Sequence, residues 1–397
     1  MAVLATYSFR DARRLVLETV QPRMPAEEAD LCAAAGRVLA EPVTADRDYP
    51  PVSRSVRDGF AVRAADLPGS LDVIGEVRAG QTYGGEVGPG QSVEIMTGAP
   101  VPRGADAVVM IEHTRREGSR VHTERAPKPG EFIIPHGAEA RHGDLLLSPG
   151  IRLGFAEIAL AAMTGRTCLR VFARPRVAIL PTGDEVVPIT ATPRDDQVRN
   201  SNAYSLAVQV ARAGGVPEIL PVAPDEFDAT RDLIERGLHA DLLLLSGGVS
   251  AGKYDLVERV LADLGAEFYF DRVLIQPGQP LVFGRARGTY FFGLPGNPAS
   301  TMVTCEVFAR AAQQKLEGEA EPALAITLAK LTADFSHKTG LTRFLPARLS
   351  SDGVELTPMR WSGSSDVPSL ARANAFLVAA AGRESWKAGE LIEVLLR

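Results

Sequence analysis

The chain has 397 residues, of which 45% are hydrophobic and 23% are charged, so we expect a soluble globular protein of about two to four domains. The net charge of −6 argues against a large nucleic-acid interface, which needs a basic face. Neither a signal peptide nor a membrane-spanning apolar run is visible. Three widely spaced cysteines favour reduced thiols over disulfides or a zinc site. We therefore expect a cytoplasmic protein without nucleic-acid or membrane partners.

The first part of the chain predicts a β-rich module inserted into a helical framework. Apolar residues at helical spacing predict helix over residues 9–40 and again over residues 153–163. Between about Thr44 and Ala140, short apolar runs alternate with glycine and proline, which is typical of a small β-rich unit.

From Arg176 onward, strand and helix patterns alternate. The predicted helices are 201–213, 226–238, 256–264 and 299–316, and the predicted strands are 177–180, 216–222, 242–245, 266–275, 281–283 and 290–294. Asn200 or Ser201 is the expected N-cap of the first helix. This alternation predicts a parallel, doubly wound sheet. After Pro322 the helical patterns stop, and strand-like runs between turns predict a small β barrel or sandwich.

Three polar turns that contain glycine follow strands of this β/α unit, at residues 181–185, 246–255 and 295–298. Ligands of open α/β sheets bind beyond the carboxyl ends of the strands, and a glycine turn before a helix points N–H groups at phosphate. Glu185 and Asp255 would repel a bare phosphate. They therefore indicate a Mg²⁺ ion that joins carboxylates to substrate oxygens.

The turn at residues 246–255 nearly matches two other motifs. Its glycines and Lys253 have the spacing of a P-loop, but Tyr254 stands where Ser or Thr would bind Mg²⁺. Residues 248–252 match the G-x-S-x-G nucleophile elbow, but the only later histidine, His337, lies outside the β/α unit. These departures disfavour both a P-loop NTPase and a serine hydrolase.

Several stretches that run in order along nearly the whole chain together resemble the MoeA family of molybdopterin molybdenumtransferases, to which the E domain of gephyrin is related. No single stretch is specific, but the combination is. The matching stretches are residues 55–62, 95–109, 179–185, 200–202, 245–255, 277–278, 293–300 and 369–374.

The resemblance implies a multi-domain α/β fold. It consists of a helical connecting domain, an inserted β-rich domain, a β/α domain related to molybdopterin adenylyltransferases, and a C-terminal β barrel. The corresponding boundaries are 1–43 with 141–172, 44–140, 173–318 and 319–397. The resemblance also implies an elongated homodimer, whose active sites combine the β/α domain of one subunit with the β domains of the other.

The reaction that the resemblance implies uses molybdate, with Mg²⁺, to insert molybdenum into adenylylated molybdopterin, which releases AMP and forms molybdenum cofactor. A molybdopterin adenylyltransferase and apo-molybdoenzymes are the implied partners. Two alternatives stay open. One is a molybdopterin adenylyltransferase, which shares the turns but normally lacks the other modules. The other is a catalytically weakened molybdopterin-binding or scaffold protein.

The resemblance also assigns site residues, position by position. Those that match residues required for activity are Asp58, Thr97, Glu185, Asp225 and Asp255. The predicted Mg²⁺ ligands are Glu185, Asp255 and Asp58. Those predicted to contact substrate are Gly247, Gly248, Ser250, Gln276, Gln279, Pro295, Gly296, Asn297, Arg343 and Ser364.

The chain departs from the family pattern in three places. Gln276 and Gln279 stand where the family often has lysine, so hydrogen-bonding groups replace positive charges there. Arg57 precedes the Asp-Gly pair, where the family usually has an uncharged residue, and we interpret it as a compensating positive charge. Glu139 stands in place of a family aspartate and is one methylene longer.

Overall fold

The structure is a computed structural model that describes residues 5–248 and 256–397. These residues form two compact units. One contains residues 5–40, 149–154 and 168–397, and the other contains residues 41–148 and 155–167. The predicted site residues Ser250 and Asp255 lie outside the described residues. The division into four domains stays a prediction.

A mixed sheet, six-stranded within the described residues, forms the centre of the first unit. Its strands, in spatial order, are Val216–Ile219, Arg176–Pro181, Leu242–Ser246, Thr289–Leu294, Pro280–Ala286 and Glu267–Arg272. The first four are parallel, and each of the last two is antiparallel to the strand before it. The expectation of a wholly parallel sheet is therefore wrong at this edge. Arg287 and Gly288, with φ angles of 47° and 87°, form a tight turn that reverses the chain into a hairpin.

Helices cover both faces of this sheet, as the doubly wound pattern predicts. The four leucines of residues 242–245 alternate between two buried clusters, one on each face, because successive strand side chains point in opposite directions. The helices against the first face are Asn202–Arg212 and the continuous run of Pro298–Thr304, the π-helical Cys305–Ala309 and Arg310–Leu316. Those against the second face are Phe227–Gly237 and Leu256–Asp263.

Only part of residues 9–40 is helical, which corrects the prediction of helix for this region. Pro22 and Pro25 prevent the first helix from continuing, because proline lacks an N–H group and clashes with the preceding turn. The helices here are Phe9–Thr19 and Leu31–Ala34, and the strand Ala26–Asp30 pairs with Cys168–Phe172.

The C-terminal strands close into a five-stranded barrel, which confirms the predicted C-terminal barrel. In order around the barrel they are Thr342–Leu349, Glu355–Pro358, Ile326–Leu331, Leu391–Leu396 and Ala375–Ala379, and the last pairs with the first. A helix, Val367–Arg372, contradicts the expectation that helices end near Pro322. It forms because Asp366 caps it by accepting hydrogen bonds from the N–H and hydroxyl of Ser369. The shorter strands of this unit are Val186–Val187, Val198–Arg199, Ile275–Gln276, Phe335–Ser336 and Ser385–Trp386.

The second unit contains another mixed sheet with a buried apolar cluster on each face. Its strands, in order, are Ala107–Met110, Gly59–Val62, Gln91–Ile95, Gly69–Val77, Arg120–Thr123 and Arg115–Glu117. They confirm the β-rich character predicted between Thr44 and Ala140. The helix predicted over residues 153–163 spans Phe155–Met163. The shorter elements are Val43–Thr44 with Leu145–Leu147, Arg54–Ser55 with Ile133–Ile134, and the 3₁₀ turns Ala64–Asp66 and Ile111–His113.

The sequence predicts neither a membrane-spanning helix nor a disulfide. No helix in the part of the chain that the structure describes is long and apolar enough to cross a membrane. No disulfide joins Cys32, Cys168 and Cys305 there.

A buried ion pair in the first unit joins residues 149–154 to the end of the long helix. Arg152 Nη2 donates to Glu317 Oε2 and to Glu319 Oε2, each at 2.7 Å. The side chain of Glu317 is 0% exposed, and its burial raises the pKa of that carboxyl group. The arginine therefore offsets the cost of keeping a charged carboxylate away from water.

Replacing Arg152 with alanine is expected to lower the free energy of unfolding by about 3 kcal/mol, because Glu317 would remain buried without its hydrogen-bonded cation. Urea denaturation measures this change. The matched control is Arg176→Ala, which removes an exposed pair with Glu218 (3.2 Å) and should cost less than about 1 kcal/mol. Equal losses in the two variants would contradict this account.

Candidate functional site

The carboxyl ends of three parallel strands lie side by side at one edge of the central sheet. Pro181 pairs with Ser246, and Ser246 pairs with Leu294, so the three predicted turns begin at the same level. A cavity of about 590 Å³ opens there, which is within the range of about 300–1,000 Å³ typical of small-molecule sites. Its position agrees with the rule that ligands bind beyond the carboxyl ends of such strands.

The cavity brings together some of the predicted site residues and several others. The predicted residues that line it are Glu185, Gly247, Gly296 and Asn297. Polar residues that line it without having been predicted as site residues are Thr182, Arg199, Asn200, Ser201, Asn202, Ser246 and Ser365. Thr182 and Ser246 lie at strand ends, so the rule that strand ends converge could have found them. Asn202 lies in a stretch that matches the family pattern, but the pattern assigns it no role.

The predicted Gly247-Gly248 turn packs tightly on Thr182. The two glycines have φ angles of 95° and 63°, a conformation that favours glycine. A Cβ atom on Gly247 would lie 2.8 Å from the carbonyl oxygen of Thr182, and one on Gly248 would lie 2.7 Å from its Oγ1. Side chains are therefore excluded at both positions, which leaves the backbone open to a ligand.

Asn202 ties two of the three turns together. Its Nδ2 donates to Ser246 Oγ (3.0 Å) and to the carbonyl oxygen of Gly296 (2.8 Å). A carbonyl can only accept, so the amide nitrogen must face Gly296, which fixes the orientation of the side chain. Asn202 Oδ1 and Thr182 Oγ1 are then buried without a hydrogen-bond partner among the described residues. Buried polar atoms are normally satisfied, so these two atoms are unsatisfied hydrogen-bonding groups of residues that line the cavity.

The electrostatic character of the cavity favours an anion on one side. The helices Asn202–Arg212 and Pro298–Thr304 begin at its wall, and helix N-termini attract negative charge. Asn200, rather than Ser201, supplies the side-chain cap of the first helix, because its Oδ1 accepts a hydrogen bond from the N–H of Ala203 (3.2 Å). Arg199 adds a cation to the same wall.

The turn at residues 295–298 leads into the second of these helices. The hydroxyl of Thr301 lies within hydrogen-bond distance of the carbonyl oxygens of Pro295 (2.5 Å) and Asn297 (3.0 Å), which share its one hydrogen. These bonds hold the start of the helix, and with it Gly296 and Asn297, at the cavity wall.

Glu185 fits a metal ligand that is shared with a substrate, but the described residues do not form a complete metal site. Among them, no group of three or more His, Cys, Asp or Glu side chains is placed to hold a metal ion. Asp225 is not among the residues that line the cavity, although its N–H donates to Asp184 Oδ1 (3.0 Å) and so holds it beside the Glu185 turn. Because Mg²⁺ commonly takes one or two carboxylates plus substrate oxygens and waters, Glu185 alone is compatible with that ion.

Other predicted substrate residues lie where the barrel meets the central sheet. Gln276 pairs in register with Arg343, and the Nε atom of Arg343 is buried without a partner among the described residues. Gln279 is partly buried nearby in the chain. The carbonyl of Ser364 accepts a hydrogen bond from the N–H of Ala299 (2.8 Å). Ser364 therefore holds a barrel loop against the helix that begins at the first cavity.

Asp58 and Thr97 meet in the second unit, as members of one predicted site should. Asp58 Oδ1 accepts hydrogen bonds from the N–H (2.6 Å) and hydroxyl (2.9 Å) of Thr97, and these bonds hold the pKa of Asp58 below its usual value. A Cβ atom on the following residue, Gly59, would lie 1.9 Å from the carbonyl oxygen of Val109. Asp58 is thus an exposed, ionised carboxylate with a fixed orientation.

Glu139 and Arg57, two positions at which the chain departs from the family pattern, differ in how they are paired. Glu139 Oε1 accepts a hydrogen bond from Arg54 Nη2 (2.5 Å), so its longer side chain is engaged in an ion pair. Arg57 is exposed, and no carboxylate of the described chain forms an ion pair with it. Its positive charge is consistent with the compensating role predicted for it.

Replacing Asn202 with alanine is expected to loosen both turns that it joins. Amide exchange at Gly247 and near Gly296 should become about five- to tenfold faster, because a hydrogen bond typically contributes about 1 kcal/mol. Hydrogen-exchange mass spectrometry measures this. Gln209→Ala is the matched control, since Gln209 lies on the same helix and donates to Met302 O (3.0 Å) away from the cavity. Unchanged exchange in the Asn202 variant would contradict the linking role.

Three family models match the chain along most of its length. The MoeA N-terminal region (domains I and II) matches residues 7–165, the probable molybdopterin binding domain matches residues 178–315, and the MoeA C-terminal region (domain IV) matches residues 328–396.

Individual proteins are similar over the same span. The molybdopterin molybdenumtransferase of a Nostoc species is 38% identical over 79% of this chain and 75% of its own length. That of Bacillus subtilis is 36% identical over 91% of this chain and 87% of its own. The solved structure of a molybdopterin biosynthesis MoeA protein from Pyrococcus horikoshii covers 99% of this chain and 100% of its own, with a TM-score of 0.82 and 26% identity. The chain therefore belongs to the MoeA family, that of the molybdopterin molybdenumtransferases.

Proposed function

We propose that this protein is a transferase that inserts molybdenum from molybdate into adenylylated molybdopterin, releasing AMP and forming molybdenum cofactor. The relatives named for molybdopterin molybdenumtransferase activity support this reaction. The observation in the structure that carries the proposal is the cavity at the aligned strand ends, where glycine backbone, two helix N-termini and Glu185 converge.

These groups suit a substrate that carries phosphate. The N–H of Gly247 already donates to the carbonyl oxygen of Leu294 (3.2 Å), whereas Gly248 is exposed, and a free N–H group in such a turn can donate to phosphate oxygens. Arg199 and the helix N-termini stabilise the negative charge. Thr182 Oγ1 and Asn202 Oδ1 offer buried hydrogen-bonding atoms to the remainder of the ligand. The cavity can therefore orient a phosphate ester and also discriminate its polar substituents.

Glu185 and Asp255 are our proposed ligands for Mg²⁺, together with oxygens of the substrate. When bound, the ion would neutralise charge that develops on the phosphate oxygens during cleavage. Asp58 of the other copy in a homodimer is a third proposed ligand. The hydrogen bonds from Thr97 lower its pKa and so keep it ionised, the form that binds a cation.

Two alternatives are less well supported. A molybdopterin adenylyltransferase would not need the N-terminal and C-terminal regions that match the MoeA models. A scaffold protein would not need the ionised and oriented Asp58 carboxylate. Both alternatives are outcomes of the experiment that follows.

The protein, supplied with adenylylated molybdopterin, Mg²⁺ and molybdate, is expected to release AMP and to activate an apo-molybdoenzyme. Glu185→Gln should slow AMP release by about 10²-fold or more, because the change removes the carboxylate charge while keeping the shape. Glu218→Gln is the control, since Glu218 is an exposed residue of the same unit that pairs with Arg176 and Arg236.

The possible results of this assay distinguish the proposed transferase from the two alternative functions. Wild-type rates in Glu185→Gln would remove that residue from the site. Adenylylation of free molybdopterin by ATP would favour the adenylyltransferase, and tight binding of the substrate without AMP release would favour the scaffold.

We also propose that the protein acts as a homodimer. The helix Phe155–Met163 is apolar at eight of nine positions, yet Ala161 is its only fully buried residue, and Phe155 is 93% exposed. On the first unit, Tyr204 and Val208 are also exposed. Exposed apolar residues of this kind are typical of an interface, and a second copy of this chain is the occupant that the family resemblance favours.

Phe155→Glu should shift the protein from dimer towards monomer in sedimentation velocity experiments, because a buried glutamate without a partner opposes association. Val354→Glu is the control, since Val354 is an exposed apolar residue in a turn of the barrel. A wild-type protein that sediments as a monomer at micromolar concentration would refute the homodimer.

A further inference from the structure

A second cavity, of about 710 Å³, lies against the C-terminal barrel, and we call it the barrel cavity. None of the predicted site residues that the structure describes lines it. Its apolar lining residues are Phe335, Leu345, Met359 and Trp361, and its polar lining residues are Arg360, Ser362, Asp366, Ser369 and Arg372.

The apolar wall of the barrel cavity offers flat aromatic surface. Trp361 is partly buried and packs against the core that the barrel shares with the central sheet. Phe335 is held in place by the rings of Trp386 (5.8 Å between centroids) and His337 (5.9 Å). Met359 completes the wall with a flexible side chain that adapts to a ligand. Such a wall suits a planar ring, which can stack on the tryptophan.

The polar wall carries two arginines, Arg360 and Arg372, and the charge of Arg372 acts on Asp366 without a direct ion pair. Among the described residues, no carboxylate lies within ion-pair distance of Arg360 or Arg372. The guanidinium of Arg372 donates to Ser369 Oγ (3.2 Å), which leaves several of its five N–H groups for a ligand. Planar guanidinium groups bind carboxylate and phosphate groups through paired hydrogen bonds.

Asp366, the one carboxylate in the lining, is already engaged. Its oxygens accept hydrogen bonds from the N–H of Ser362 (2.9 Å), the N–H of Ser369 (3.0 Å) and the hydroxyl of Ser369 (2.7 Å). Its pKa is lowered, chiefly by the Ser369 hydroxyl. It therefore stays ionised and shapes the turn, and the lining keeps a net positive charge from its two arginines.

We propose that the barrel cavity is a second ligand-binding site, which takes a planar aromatic ring bearing one anionic group. The ring stacks on Trp361, and Arg360 and Arg372 bind the anion. The site does not rest on the reaction proposed above, because its residues are distinct from those that line the first cavity.

The barrel cavity and the first cavity lie on the two sides of one turn of the chain. Ser365 and Val367 line the first cavity, and Asp366 between them lines the barrel cavity. The carbonyl of Ser364 accepts a hydrogen bond from the helix that begins at the first cavity. The ligand would thus contact the turn that separates the two sites.

The chain contains two tryptophans, which permits a local measurement on the intact protein. Labelling with 5-fluorotryptophan gives two ¹⁹F resonances, and Trp361→Phe assigns them. AMP and nicotinate serve as probes, since each is a heteroaromatic ring with an anion, a phosphate in one and a carboxylate in the other. Adenosine, which lacks the anion, and inorganic phosphate, which lacks the ring, are the control probes.

At least one of AMP and nicotinate is expected to shift the Trp361 resonance saturably. The probe that binds more tightly shows whether the site prefers a phosphate or a carboxylate. The Trp386 resonance, from a buried residue whose ring packs behind Phe335, should move less than that of Trp361. Adenosine and phosphate should bind about tenfold more weakly or worse, and the double variant Arg360→Ala/Arg372→Ala should weaken binding by a similar factor. Arg348→Ala, an exposed arginine on the same barrel, should leave binding unchanged.

Three results would overturn the proposal. The first is a Trp361 resonance that neither AMP nor nicotinate moves at millimolar concentration. The second is binding of adenosine or phosphate as tight as that of the complete probes. The third is unchanged binding in the double arginine variant. AMP that binds only in the first cavity would act on Trp361 through the shared turn equally in the wild type and in the double arginine variant, so this experiment and the AMP-release assay can fail independently.

Discussion

The central strand Leu242–Ser246 holds the first cavity in place. All five of its residues are buried, and it pairs in parallel with a strand on each side. A slip of one residue would exchange the two faces of the strand and move its leucines out of both apolar clusters. The register is therefore strongly constrained, and the turns that follow these strands must begin at one level.

Close packing between the turns forms the cavity at these aligned strand ends. Gly247 and Gly248 let their turn approach Thr182, and Asn202 bonds across to the turn at Gly296. These contacts leave N–H groups, two helix N-termini and two unpaired buried oxygens around one cavity. An ionised substrate can bind there without a large basic surface, which is consistent with the acidic net charge of the chain.

The barrel contributes to the cavity because it shares a core with the central sheet. Phe9 packs edge-on against Phe344 of the barrel (5.3 Å) and against Phe308 of the long helix (6.4 Å). The bond between Ser364 and Ala299 then positions the loop that carries Ser365. One short segment of the barrel thus faces both the first cavity and the barrel cavity, so binding in one cavity can affect the other.

Local patterns in the sequence determined the main helices, the leucine-rich central strand, the β-rich second unit and the candidates Glu185 and Gly247. These features depend on side-chain periodicity and on glycine, which act over a few residues. The hairpin at Arg287, the helix after Asp366 and the strand before Leu31 were mispredicted, because each depends on a turn, a cap or a distant partner strand. Asn202 bonds to residues 44 and 94 positions away, and no local pattern encodes such contacts. The sequence by itself therefore determined which chemical groups are present and which strands end in polar turns. Only the tertiary structure decided which of those groups meet, because their meeting depends on strand register and on packing between distant segments.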